Sequence, residues 1–283
     1  MTPPPLLGLH HVTAIAGPPQ RNLDFYTRTL GLRLVKVTVN FDDPGAYHFY
    51  FGDDAGRPGT LVTFFPWPDA RDGVIGLPQA VATCFALPNL PDGERVTRFG
   101  DEVVTFTDPD GTRLEAVHAD TPKLHSATLC VEGSTKTAAL LTGPMGLTLH
   151  GEDAGRQRFI AGDGSAVDLM CTPGAQAGRL GAGVVHHIAF RTENADTQKQ
   201  WHAYLTDAGF NVSPVMDRDY FTSIYFREPG GVLFEIATDG PGFGVDEDEP
   251  GTALKLPTMY EPHRAKIEAA LPKIVLPGGS TLP

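Results

Sequence analysis

The chain has 283 residues, of which 41% are hydrophobic and 20% charged. That is the balance of a globular protein with a sizeable core, and it excludes a disordered chain. A formal net charge of −12 speaks against nucleic acid as a partner, because tracking phosphates requires a basic stripe.

The start, "MTPPPLLGLHH", lacks the basic and apolar regions of a secretory signal, and no apolar run approaches the roughly 18 residues that span a bilayer. No membrane partner and a cytoplasmic location are therefore expected. Along the chain, "GLHHVTAI" (8–15) reads as a strand. Next comes "RNLDFYTRTLGLRLVK" (21–36), with Leu23, Tyr26 and Leu30 at helical spacing and Gly31 placed to end the helix. "AYHFYF" (46–51) and "RPGTLVTFF" (57–65) follow as strands, the second after a turn. A weaker copy of this order opens at "AVATCFAL" (80–87). It has only a short helical stretch, "PNLPDGERV" (88–96), and closes at "DPDGTRLEAV" (108–117). A third copy runs from "KLHSATLCV" (123–131) through "TKTAALLTGPMG" (135–146) to "GDGSAVDLM" (162–170).

The fourth copy returns to the His-His pair in "VVHHIAF" (184–190). Its helix, "ADTQKQWHAYLTDAGFNV" (195–212), places Trp201, Leu205 and Ala208 on one face and Gly209 at the stop. The strands "YFTSIYF" (220–226) and "EPGGVLFEIAT" (228–238) complete it. The acidic "VDEDEP" (245–250) reads as a solvated loop. Cys84, Cys130 and Cys171 lie far apart with no CxxC, and read as small buried hydrophobes in a reducing compartment.

The chain is thus read as an α+β protein of four βαβββ modules. Counting four residues past each turn glycine gives matching positions on the last strands: Thr63, Glu115, Asp168 and Glu235. On the first strands, His11 of module 1 matches His187 of module 4. In module 3 His125 matches His10 and Ser126 takes the place of His11, while module 2 has no histidine there. Two imidazoles and one carboxylate with positions left open form the donor set that suits non-heme Fe(II), with Mn(II) as the substitute. His11, His187 and Glu235 are the expected metal ligands. Glu115, without histidine partners, reads as a surface or barrel-edge acid, and His48, His118, His150, His202 and His263 receive no role.

One metal reached from modules 1 and 4 requires those modules to pair. Two incomplete barrels are expected: residues 1–72 (module 1) with 176–283 (module 4 and a C-terminal tail) around the metal, and residues 73–175 (modules 2 and 3) without one.

With these residues assembled, the chain resembles the vicinal oxygen chelate superfamily, built from paired βαβββ modules. Within it, the likeness is to hydroquinone ring-cleaving dioxygenases of the dichlorohydroquinone 1,2-dioxygenase type. It is carried by "LHHVT", "YHFYFGDDAGRPGT", "VVHHIAF", "DRDYFTSIYFREPGGVLFEIATD" and the tail "DEDEPGTALKLP", spread over nearly the whole chain. The resemblance implies the same three ligands, and a substrate pocket lined by His10, Thr13, His186, Arg218 and Tyr225. Strand alternation puts Thr13 on the face of His11 but turns His10 and His186 to the other side. The implied activity is Fe(II)-dependent opening of a hydroquinone-type ring by O₂, with a small aromatic substrate as partner and the oligomeric state, homo-oligomer included, left open. The alternatives are a glyoxalase-type metal isomerase or lyase, and a metal-free small-molecule binding module on the same fold.

Overall fold

Every turn glycine that precedes a module's last strand has positive φ, from +84° to +97° at Gly59, Gly111, Gly164 and Gly231. Only glycine takes that conformation without strain, and so the four modules turn alike. The computed structural model describes residues 3–283. Module 1 comprises β1 (Leu9–Ala16), α1 (Pro19–Asp24) extended by a π-turn (Phe25–Thr29), β2 (Arg33–Val39), β3 (Tyr47–Gly52) and β4 (Leu61–Pro66). Module 2 comprises β5 (Gln79–Leu87), β6 (Glu94–Arg98), β7 (Asp101–Thr107) and β8 (Arg113–His118). Module 3 comprises β9 (Lys123–Val131), α2 (Thr135–Thr142), β10 (Thr148–Asp153), β11 (Arg156–Ile160) and β12 (Ala166–Cys171). Module 4 comprises β13 (Val184–Thr192), α3 (Ala195–Asp207), β14 (Met216–Asp217), β15 (Thr222–Arg227) and β16 (Leu233–Thr238). The tail adds α4 (Arg264–Ala270) and the small pair β17 (Ile274–Val275) and β18 (Thr281–Leu282).

Two eight-stranded sheets result. One runs β14-β15-β16-β13-β1-β4-β3-β2 and joins modules 4 and 1; the other runs β10-β11-β12-β9-β5-β8-β7-β6 and joins modules 3 and 2. In each sheet the first strands of two modules pair antiparallel at the centre, β1 with β13 and β5 with β9. Each first strand also pairs in parallel with the last strand of its own module. This topology brings residues of the first and last quarters of the chain side by side.

The helices pack on the sheets as their apolar spacing requires. Asn194 caps α3, its side chain accepting from the backbone N–H of Thr197 while Thr197 reciprocates. Trp201 and Leu205 are fully buried, but Ala208 falls at the frayed end and is exposed. Module 2 has no helix at 88–96. Pro88, Pro91 and Gly93 remove two N–H donors and loosen the chain, leaving a short loop into β6. Of the cysteines only Cys84 is buried; Cys171 is exposed at the end of β12.

Across the seam between the sheets, the fully buried Tyr26 donates to Asp108 Oδ2 at 3.1 Å. The acidic run is not a solvated loop throughout. Lys36, 0% exposed on β2, places Nζ 2.7 Å from both Asp246 and Glu247. Glu247 also accepts backbone N–H groups of Gly251, Thr252 and Ala253. A buried lysine demands such partners, and the tail is latched onto module 1 by them.

Candidate metal centre

Strand register places the repeat-equivalent residues without reference to turn counting. Opposite Thr13 on β1 stands Thr63, opposite Ala189 on β13 stands Glu235, opposite Cys84 on β5 stands Glu115, and opposite Thr128 on β9 stands Asp168. Two residues back along the first strands, on the same face, lie His11, His187, Ala82 and Ser126. The sheet of modules 1 and 4, the outer barrel, therefore offers His11, His187, Glu235 and Thr63, and that of modules 2 and 3, the inner barrel, Ala82, Ser126, Glu115 and Asp168.

His11, His187 and Glu235 converge in the buried centre of the outer barrel. Nε2 of His11 lies 3.3 Å from Nε2 of His187, and Oε2 of Glu235 lies 3.3 Å from the first and 2.9 Å from the second. Glu235 Oε2 is nonetheless without a hydrogen bond, since neither contact has the required angles. Donors at right angles and about 2.1 Å from a common first-row ion sit about 3.0 Å apart. The triangle thus fits one face of such an ion, and an orphaned buried carboxylate oxygen among lone pairs is what an ion would satisfy.

The other oxygen of Glu235, Oε1, accepts from the Ser223 hydroxyl. Burial raises the Glu235 carboxyl, but His11 and His187 beside it outweigh this and hold it well below the usual carboxylate range. Burial, partly offset by Glu235, lowers His187, which favours the neutral imidazole that has a lone pair to donate.

Each imidazole of the triangle is braced by its preceding neighbour. His10 Nδ1 lies 2.8 Å from His11 Nδ1, and His186 Nδ1 lies 2.7 Å from His187 Nδ1. With the proton on the ligand's Nδ1 and the neighbour's Nδ1 accepting, His11 and His187 each keep the Nε2 lone pair aimed at the centre. Burial, then His187, pushes His186 down to about 3, and burial holds His10 well below the ordinary imidazole value.

A cavity of about 30 Å³ adjoins the triangle, and its walls include Thr13, Arg218 and Tyr225. His10 and His186 are not among its lining residues, as strand alternation required. His48, given no role from the sequence, does line it. Its Nε2 lies 2.9 Å from Thr63 Oγ1 and its Nδ1 3.0 Å from the Tyr50 hydroxyl, and Thr63 in turn lies 2.7 Å from Thr13 Oγ1. Extending the repeat to the third strands would have found it: Tyr50 stands opposite Thr63 as Tyr225 stands opposite Glu235, so His48 is the counterpart of Ser223. Arg218 lies 5.4 Å from the Tyr225 ring centre and 3.6 Å from Asp42. Burial, reinforced by Glu235, raises the Tyr225 hydroxyl above its ordinary value, which keeps it protonated.

Glu115 is not a surface acid. It is 4% exposed and accepts from Arg156 and Arg98. Arg158 grips Asp168 with two bonds of 2.7 and 2.8 Å. Guanidinium groups thus neutralise, in the inner barrel, the carboxylates that stand where the outer barrel has Thr63 and Glu235.

Two curled half-barrels, one holding a buried His-His-carboxylate cluster of the kind that can bind a metal ion, define a protein of the glyoxalase fold. The chain belongs to the Glyoxalase/Bleomycin resistance protein/Dioxygenase superfamily, whose model matches residues 8–80 and 123–236. Among its relatives, "Putative ring-cleaving dioxygenase MhqO" of Bacillus subtilis is 46% identical, over 94% of this chain and 96% of the relative. "Chlorohydroquinone/hydroquinone 1,2-dioxygenase" of Sphingobium indicum is 32% identical, over 90% and 92% of the two chains. A crystal structure of a "putative dioxygenase" from Bacillus subtilis superposes with a TM-score of 0.91 at 44% identity, covering 95% of this chain and 98% of that one. Glyoxalase I from Zea mays superposes at 0.64 with 15% identity over 82% and 92%, which is likeness of fold alone. No helix among the described residues is long and apolar enough to cross a membrane.

Proposed function

We propose that the protein is an Fe(II)-dependent ring-cleaving dioxygenase acting on a hydroquinone-type diol, with Mn(II) able to occupy the same site. The observation that carries this reading is the facial triangle of His11 Nε2, His187 Nε2 and Glu235 Oε2 beside a cavity holding a tyrosine and an arginine. The names of the relatives support the substrate class. A bound divalent ion would lower the pKa of a coordinated phenol and link it electronically to O₂.

The chain's own residues supply position and charge. His10 and His186 hold the two ligand imidazoles in orientation through the Nδ1 contacts. Tyr225, protonated, donates its hydroxyl proton to an oxygen of the bound diol, while Arg218 balances the anionic charge of the phenolate. His48 has both nitrogens engaged, by Tyr50 and Thr63, and forms a wall of fixed orientation. Thr63, held by Thr13 and His48, is a poor fourth ligand, which leaves room for two exogenous ones and disfavours an isomerase. An apolar cavity of about 150 Å³ accommodates benzene. At about 30 Å³ the present cavity is smaller than a ring requires, and the Arg218–Asp42 ion pair, 3.6 Å, stands in its wall. Asp42 is largely exposed, so that ion pair is weak and its opening inexpensive.

The test is anaerobic loading with Fe(II) or Mn(II), metal analysis, and oxygen-electrode assays with hydroquinone and catechol. Oxygen uptake with hydroquinone is expected. A stoichiometrically loaded protein that consumes no oxygen with either diol overturns the dioxygenase reading, and uptake with catechol alone overturns the substrate class.

A further inference from the structure

The concave face of the inner barrel carries a cavity of about 460 Å³, against about 30 Å³ at the repeat-equivalent face of the outer barrel. Two substitutions within the repeat contribute to the difference. Ala82 stands where the outer barrel has His11, and Thr105, opposite Glu115, stands where it has Tyr50, opposite Thr63. A volume of this size is that of a small-molecule site.

Its walls are of two kinds. Phe106, Leu114 and Met170 are apolar. Arg98, Arg113 and Arg156 bring three guanidinium groups against the carboxylates of Glu94 and Glu115, an excess of one positive charge in a chain whose net charge is −12. The excess is available to a ligand. Among the described residues Arg98 engages Glu115 through Nε, leaving both its Nη atoms uncommitted, and Arg113 makes no ion pair. Arg156, itself 8% exposed, is held in place by Glu115 and Thr128. Asp168 also lies 3.8 Å from Arg156, but its charge is already matched by Arg158, which binds both of its oxygens, so the excess stands.

We propose that this cavity is a second binding site, for a small organic monocarboxylate with an apolar body. The carboxylate pairs with Arg98 and Arg113 and the body rests on Ala82 and Met170, while Glu94 repels a second acidic group. The site is independent of the metal reading, since no residue of the triangle takes part.

Benzoate is the probe, titrated calorimetrically into the full metal-free chain, with the neutral isostere benzamide alongside. Saturable benzoate binding is expected, with benzamide weaker by about tenfold or more, the loss of a charge-assisted hydrogen bond. Thr105→Tyr, which restores the aromatic of the outer barrel and occupies part of the cavity beside Glu115, should weaken it. Arg98→Gln with Arg113→Gln should weaken it about tenfold or more without altering the thermal midpoint by more than a few degrees. Arg218→Gln, in the other barrel, should leave it unchanged. Equal binding of benzamide, retention in both inner-barrel variants, loss in Arg218→Gln, or no saturable binding in the millimolar range each overturns the proposal.

Discussion

Replacing Lys36 by Met removes a charge that is 0% exposed and leaves its two carboxylate partners, each 2.7 Å away, without it. Breaking a buried ion pair from one side costs about 3–5 kcal/mol. The side chain of Asp246 is 34% exposed and can turn to water, so its share is screened; that of Glu247 is 4% exposed and cannot. Three backbone N–H groups still solvate Glu247, which brings the expectation to the lower end, about 3 kcal/mol. At roughly 2 °C per kcal/mol for a chain of this size, the thermal midpoint at pH 7 should fall by about 6 °C.

The pH dependence has a definite sign. Burial raises the Glu247 carboxyl, but Lys36 and the backbone donors outweigh it and hold the folded pKa below the usual value. In the wild type this stabilisation is complete above the unfolded pKa of about 4.3 and is lost as pH falls through the depressed folded value. Without Lys36 the folded pKa rises, so the deficit of the variant should be greatest near neutrality and shrink toward pH 4. A second substitution, Glu247→Gln, should recover part of the loss in Lys36→Met, as a double-mutant cycle reads directly. A Lys36→Met protein melting within about 1 °C of wild type at pH 7, or with a deficit that grows on acidification, refutes the reasoning.

Glu235→Gln should abolish metal retention measured by elemental analysis of the purified protein. Glu115→Gln should retain full metal while losing about 3 kcal/mol in a denaturant titration, because Arg156 and Arg98 lose their shared counter-charge and Arg156 keeps only Thr128 and a 3.8 Å contact with Asp168. His186→Ala, which removes the brace on His187 without touching the cavity, should weaken metal affinity by about 10–100-fold in a chelator competition. Tyr225→Phe should lower kcat by about 10²-fold with metal content unchanged, if its hydroxyl donates to the bound diol; a kcat within twofold of wild type would remove it from the mechanism.

The histidines show how far the repeat carries a reader. His11 and His187 could be singled out because the same position recurs in two modules with a carboxylate at a matching strand end. His48 is less legible, because its counterpart is a serine, and a pair of unlike residues shows itself only when the repeat is carried on to the third strands. Glu115 was misplaced for a related reason. The arginines that bury it come from β6 and β11, remote in sequence, and no periodicity marks them as partners. "VDEDEP" follows the same pattern, being acidic and polar by composition yet buried in part around a lysine more than 200 residues earlier.

Local chemistry determined the modules: glycine at each turn, apolar spacing in each helix, and alternation along each strand are short-range constraints that the residues state themselves. Which modules pair, and therefore which donors meet, was legible only through the requirement that one ion be reached from both ends of the chain. Depth, ion-pair choice and cavity volume belonged to the tertiary structure alone. Burial and the partners of a charge depend on what the whole sheet brings alongside, and a side chain's own neighbours in sequence do not carry that information.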